Sequence, residues 1–157
     1  MSWRTVLRRV FGGNELPPGF DGEPDAEERV LGAAAVAGGG HLVATQLGLW
    51  VPFDGPAGGT THRRISWHLI SKATWDGRGF TVVEADEVGT EDGATLIADR
   101  APCRYPVPEP GRLPETVHAR VTRSVVHSEQ APGGGLRVQR RVPGRDGIHV
   151  QLRRPRP

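Results

Sequence analysis

Residues 41–51, His-Leu-Val-Ala-Thr-Gln-Leu-Gly-Leu-Trp-Val, decide the fold class. Leu42-Val43 leads to Leu49-Trp50, and β-branched and aromatic residues of this kind fit a pleated, half-buried surface. Just upstream, Gly38-Gly39-Gly40 supplies backbone conformations closed to residues with a Cβ, and before the glycines Arg29 to Ala37 is a second apolar run. Two such runs on either side of a glycine turn predict a β-hairpin.

The same grammar continues downstream. Arg63 to Trp75 places Ile65, Trp67 and Leu69 on one side and then changes phase through Ile70, which predicts a third strand carrying a bulge. Asp76-Gly77-Arg78-Gly79 marks a tight turn, Phe80 to Glu84 a fourth strand, and Gly93 to Ala98 a fifth after Glu91-Asp92. Five prolines between Ala101 and Pro114 then interrupt the pattern. From Pro114, a proline at a first turn, Glu115 near the positive helix end, and Val117, Val121 and Val125 four residues apart predict a helix over 114–123 running into a strand. Alternation of Ala119, Val121 and Arg123 with polar residues supports a strand over the same stretch, and both readings stay open. Leu136 to Val142 and Ile148 to Arg153 alternate around Pro143-Gly144-Arg145-Asp146-Gly147, a terminal hairpin followed by a tail, 154–157. With 22 glycines and 14 prolines among 157 residues, a long helical bundle is excluded. The expectation is a mainly β protein: one domain over residues 26–153, built as a bent antiparallel sheet or partial barrel with one helix near 114–123.

Ahead of it, residues 1–13 place Trp3, Leu7, Val10 and Phe11 at helical spacing with Arg4 and Arg8 between them, a short amphipathic helix. These six are candidate contacts to an anionic membrane surface or a protein partner. Residues 14–25, rich in Pro, Gly and acids, read as a linker.

The net charge of +2 conceals an asymmetry. Residues 1–99 hold seven Arg and one Lys against fourteen acids, a balance of −6; residues 100–157 hold twelve Arg against four acids, a balance of +8. Folding either interleaves these charges into a compensated surface or gathers the arginines into a face for phosphate or acidic protein surfaces. Candidates for such an anion-binding face are Arg120, Arg123, Arg137, Arg140, Arg141 and Arg145, with nucleic acid the alternative partner. The lone Cys103 can make no internal disulfide, no window reaches a membrane-spanning length, and the N-terminal segment lacks the apolar core of a signal peptide. A cytoplasmic protein, peripheral at most to the inner face of a membrane, is expected.

The order Glu28-Arg29-Val30-Leu31, Leu42 to Trp50, Ile65-Ser66-Trp67-His68-Leu69-Ile70 and Phe80-Thr81-Val82-Val83 resembles the first four strands of bacterial pleckstrin-homology-like domains, over residues 27–84. The Trp50, Trp67 and Trp75 pattern and the Arg-Arg-Val-Pro-Gly segment at 140–144 also resemble a group of uncharacterised proteins of high-GC bacteria. The first resemblance implies a module that binds proteins or lipids and performs no chemistry; it supplies no site residues. A pleckstrin-homology-like domain closes its sheet with a final helix, whereas here the helix precedes a hairpin.

Motifs for chemistry are missing from the sequence. It holds no Gly-x-Ser-x-Gly elbow, no Gly-x4-Gly-Lys-Ser/Thr phosphate loop and no His-Glu-x-x-His pair. The six histidines lack ligand spacing with cysteine or carboxylates, so neither a metal nor a cofactor is expected. His68 reads as a hydrogen-bonded strand histidine, Cys103 as a bystander thiol, Glu84, Asp86, Glu87, Glu91 and Asp92 as solvated acids, and the tryptophans as core. The sequence therefore predicts a non-catalytic binding or scaffold domain, with a protein partner of unknown identity.

Overall fold

The computed structural model describes residues 15–155. The helix expected over 1–13, with Trp3, Arg4, Leu7, Arg8, Val10 and Phe11, lies outside the described residues. Strands occupy 51% of the structure and helix 11%, so the chain is mainly β, with a curled, half-barrel sheet and one helix.

Strands β1 (Val30–Ala35) and β2 (His41–Thr45) form the expected hairpin. The stretch 41–51 is nevertheless two strands, because the chain reverses at Gln46-Leu47 into β3 (Gly48–Asp54), which pairs with β2 on one side and β4 (Thr60–Ser66) on the other. Thr45 makes the reversal: its hydroxyl oxygen accepts the N–H of Leu47 at 3.1 Å and of Gly48 at 3.3 Å, a side-chain substitute for ladder bonds. Gly48 is required by close approach, since a Cβ there would sit 2.3 Å from the carbonyl oxygen of Ile65.

The residues Leu42 and Ala44 face the main core, while Val43 joins Val30 and Trp50 on the opposite face of the sheet. Burial on both faces is why this strand reads as an unbroken apolar run instead of an alternation. The covering for the outer face comes from the segment expected to be a linker: Leu16 and Phe20 pack on Trp50 and Val43, the Phe20 and Trp50 rings meeting edge-on at 5.5 Å. The folded unit therefore starts well before residue 26.

The phase change within Arg63 to Trp75 combines a change of sheet with the expected irregularity, a register shift between Ile70 and Lys72. After β4 the chain makes a 3-10 turn, Trp67–Leu69, and enters β5 (Ile70–Trp75) of a second sheet. Trp67 anchors that corner: it is 2% exposed and its indole N–H donates to the Thr45 carbonyl at 2.8 Å. Strand β6 (Gly79–Glu91) then pairs through its first half with β5 and with β8 (Cys103–Pro106), and through its second half with β7 (Ala94–Asp99). A register shift between Glu87 and Gly89 accompanies the turn of the sheet from one set of partners to the other.

The stretch from 113 resolves as helix followed by strand. Helix α1 (Leu113–Ser124) buries Leu113 and Val117 in the core and runs directly into β9 (Val125–Gln130). The terminal hairpin, β10 (Leu136–Arg141) and β11 (Ile148–Arg153), completes the order β5-β6-β7-β11-β10-β9. The β7–β11 pair is parallel, with Gln151 opposite Thr95 and Leu152 opposite Leu96, so the sheet departs from the wholly antiparallel expectation. Among the described residues no helix is long and apolar enough to cross a membrane.

Folding interleaves much of the opposed charge. Arg100 meets Glu84 and Asp86, Arg104 meets Asp76, Arg153 meets Asp99, and Arg154 meets Glu91, each pairing an arginine from the basic part of the chain with an acid from the acidic part. Arg154 also donates to the carbonyls of Pro132 and Gly134, which ties the start of the expected tail to the β9–β10 turn.

The outer cover of the first sheet sets a domain boundary that can be measured. Relative to a chain begun at Glu15, one begun at Asp25 loses Leu16, Phe20 and the Asp21–His62 contact, and urea unfolding should show it less stable by about 2 kcal/mol. Equal stability of the two would return residues 15–24 to the status of a linker.

Candidate functional site

Thr45, Trp50 and Arg64 sit on three neighbouring strands whose ends converge beside the segment that leads into β1, and Glu28 of that segment reaches all three. Its side chain is wholly buried. It accepts the Thr45 hydroxyl at 2.5 Å, the Trp50 indole N–H at 2.8 Å, an Arg64 guanidinium N–H at 2.5 Å and the Asp25 backbone N–H at 3.0 Å. Burial pushes the Glu28 carboxyl up, but the hydrogen bonds from Thr45, Trp50 and Asp25 and the charge of Arg64 outweigh it, leaving a pKa below the ordinary 4.5. Gln46 extends the same wall, accepting the Arg29 N–H at 2.6 Å and donating to the Glu27 carbonyl at 2.7 Å. Arg64 lies over the Trp50 ring at 5.6 Å.

This wall borders an open groove of about 1140 Å³ between the first sheet and the β10–β11 loop. Beyond the wall it is lined by Ser66 and His68, by Glu87 of β6, by Val142 to Arg145 of the loop, and by His149 of β11. His68 is fixed from several directions. The Ser66 hydroxyl oxygen and His68 Nδ1 are 2.7 Å apart, and the Gln151 amide donates to the His68 carbonyl at 2.6 Å. The His149 ring stands edge-on to it at 5.5 Å. Burial first, then the positive potential of His149, Arg140 and Arg145, pushes His68 down to a pKa of about 4, so its ring is neutral near pH 7. His149 Nε2 is buried without a hydrogen-bond partner among the described residues.

The six candidate arginines do not form one face. Arg140 is buried: its guanidinium donates to the Ser124 hydroxyl at 2.9 Å and to the Ile70 carbonyl at 3.3 Å, bracing the end of α1 against β5. That removes it from any exposed anion site. Strand alternation places Arg137 and Arg141 on the other face of β10. Arg120 and Arg123 lie on α1, where burial and then the nearby charges of Arg123 and Arg29 lower the Arg120 pKa. Arg145 alone of the six lines the groove, where Arg29 also lies.

The arrangement can hold polar and charged groups. The His68 and His149 rings offer imidazole nitrogens, Arg145 and Arg29 offer charge-assisted donors, and Asp25, Glu27 and Glu87 offer acceptors. The Ser66–His68 contact has the outline of a nucleophile and a base, yet among the described residues no carboxylate is hydrogen-bonded to His68, and a histidine held near pKa 4 is a weak base at neutral pH. Glu28 lines the same groove with its acceptors already engaged by protein donors. Among the described residues no group of three His, Cys, Asp or Glu side chains is placed to hold a metal ion, and Cys103 is exposed on β8, away from the groove lining.

No family model matches the sequence, and no curated protein or solved structure matches the chain.

Sequence reasoning named Arg145 as a candidate contact and read His68 only as a hydrogen-bonded strand histidine, and it missed Ser66, His149 and the role of Glu28. No local spacing signals them: residues 28, 66–68 and 149 meet only through the pairing of β2, β3 and β4 and the return of β11.

The depressed His68 pKa gives a pH dependence with a definite sign. The unfolded chain takes up a proton near 6.5 whereas folded His68 does so only near 4, so stability is complete above 6.5 and declines as the pH falls toward 4. His41, also pushed down by burial and then by His62, adds a part with the same sign. Urea unfolding of His68→Gln at a series of pH values should show a smaller loss across this window than the unsubstituted protein; an identical pH profile would place His68 in open solvent.

Proposed function

We propose that the protein is a non-catalytic binding module that holds an acidic, extended segment of a partner protein in the groove between the first sheet and the β10–β11 loop. The observation that carries this reading is the open groove itself, lined by Arg145 and Arg29 together with the His68 and His149 rings. At about 1140 Å³ the groove exceeds the range of roughly 300–1,000 Å³ usual for small-molecule pockets and is open along one side, as a chain segment requires. Carboxylates of the segment face Arg145 and Arg29, while Asp25, Glu27 and Glu87 meet its N–H groups and any basic side chains.

The pleckstrin-homology-like resemblance of residues 27–84 points the same way, since such domains bind and do not catalyse. The weak basicity of His68 and the full engagement of Glu28 also favour binding over acid–base chemistry.

A peptide-display selection against the full chain tests the proposal, with Arg145→Glu and His149→Ala as comparison proteins. Enriched peptides should carry acidic residues, and each substitution should weaken the binding of a selected peptide by about ten-fold or more, the loss expected for a hydrogen bond to a charged or buried partner. Failure to enrich any peptide, or peptides that bind the unsubstituted protein and Arg145→Glu equally, would overturn it.

A further inference from the structure

Among the described residues strand β9 ends the second sheet, pairing with β10 on one side only, and all six of its residues are exposed. Its apolar members Val125 and Val126 are 37% and 43% exposed. Sheet edges are ordinarily protected from pairing by lysine, proline, cover or distortion. Here the sequence Val-Val-His-Ser-Glu-Gln has neither lysine nor proline, and the one distortion is the extra residue opposite Arg140, at the helix end of the strand.

The β9–β10 turn fixes which backbone groups face outward. Ala131 turns both of its groups toward β10, its N–H donating to the Gly135 carbonyl at 3.0 Å and its carbonyl accepting the Gly134 N–H at 3.1 Å. Alternation along an antiparallel ladder then turns Glu129 and His127 toward β10 and leaves the N–H and C=O of Ser128 and Gln130 on the open edge.

We infer that this edge pairs with the same edge of a second copy of the chain, antiparallel and centred on Ser128. An outward-facing residue can pair only with another outward-facing residue, so Ser128 faces its own counterpart across the two-fold axis. In that register His127 of each copy lies opposite Glu129 of the other, in the non-hydrogen-bonded positions where side chains approach most closely. Shifting the register by one two-residue step toward the turn brings Glu129 against Glu129, and a step the other way brings His127 against His127. The strand is thus complementary to itself in one register, an imidazole of each copy facing a carboxylate of the other. Within one strand the two groups already stand 3.6 Å apart, both about half exposed and free to turn to a partner strand. The contact joins the seven-stranded sheets of two copies edge to edge and covers Val126.

Sedimentation equilibrium of the full chain over a concentration series tests this. The unsubstituted protein should move from a mass of 16.9 kDa toward twice that value as concentration rises. His127→Glu places like charges opposite each other twice in the symmetric contact and should weaken association roughly ten-fold or more. Ser128→Pro removes an outward N–H that the monomer does not use in its ladder, and should abolish the dimer while far-ultraviolet circular dichroism reports an unchanged fold. Mixing His127→Glu with Glu129→Lys should restore a heterodimer, because each copy then meets opposite charge. A monomer at every concentration, a dimer indifferent to His127→Glu and Ser128→Pro, or a mixture that stays monomeric would overturn the inference.

Discussion

The buried carboxylate of Glu28 is the constraint on which the first sheet and the groove both depend. It lies on the segment before β1 and receives donors from β2, β3, β4 and its own approach loop, so one anion fixes four pieces of chain. Desolvating a carboxylate and a guanidinium costs several kcal/mol per ion before their attraction offsets it, so the pair is a poor source of net stability. What it supplies is placement: Arg64 is drawn over Trp50, the Thr45 hydroxyl is oriented at the β2–β3 reversal, and the groove wall is set before any ligand arrives. A wall arranged in advance lowers the ordering cost of binding.

Around that knot the opposed charges of the two parts of the chain are divided between two uses. Arg100, Arg104, Arg153 and Arg154 are taken up by acids from the first 99 residues, and Arg140 is taken into the core as a brace between α1 and β5. Arg145 and Arg29 remain at the groove, and Arg120 and Arg123 on the helix, without an ion pair among the described residues. The compensated surface is therefore present, and the arginines left outside it are divided between the groove and the helix. Exposed ion pairs of this sort contribute little to stability individually; they decide which arginines are left to meet a partner.

The sequence disclosed the strands far better than their assignment to sheets. Hydrophobic runs located the β1–β2 hairpin and the terminal hairpin, because each is governed by neighbours in sequence, whereas over 114–123 the same residues fit helix and strand until Leu113 and Val117 are seen to enter the core. The phase change at Ile70 shows in the sequence but the change of sheet does not, because a 3-10 turn at Trp67–Leu69 and a register shift between Ile70 and Lys72 follow one another and disturb alternation alike. The break at Gln46-Leu47 was invisible because β2 is buried on both faces, which erases the polar positions that would mark its end. Leu16 and Phe20 were hidden among prolines and glycines that mark a linker by composition, although two apolar contacts suffice to dock it. The groove was the least legible part. His68 and Arg145 could be named, but His149 and Ser66 join them through β11 and β4, and Arg140 looked like a surface charge because alternation alone does not say which face of β10 is inward.

An ionised Glu28, held by Trp50, Thr45 and Arg64, organises the groove wall. Nuclear magnetic resonance that follows the Glu28 carboxyl carbon and the Trp50 indole N–H together as the pH is lowered puts this to the test. A Glu28 midpoint below 4.5, with the Trp50 resonance moving at that same midpoint, is the result this account predicts. A midpoint at or above 4.5, or a Trp50 resonance indifferent to the protonation of Glu28, would contradict it.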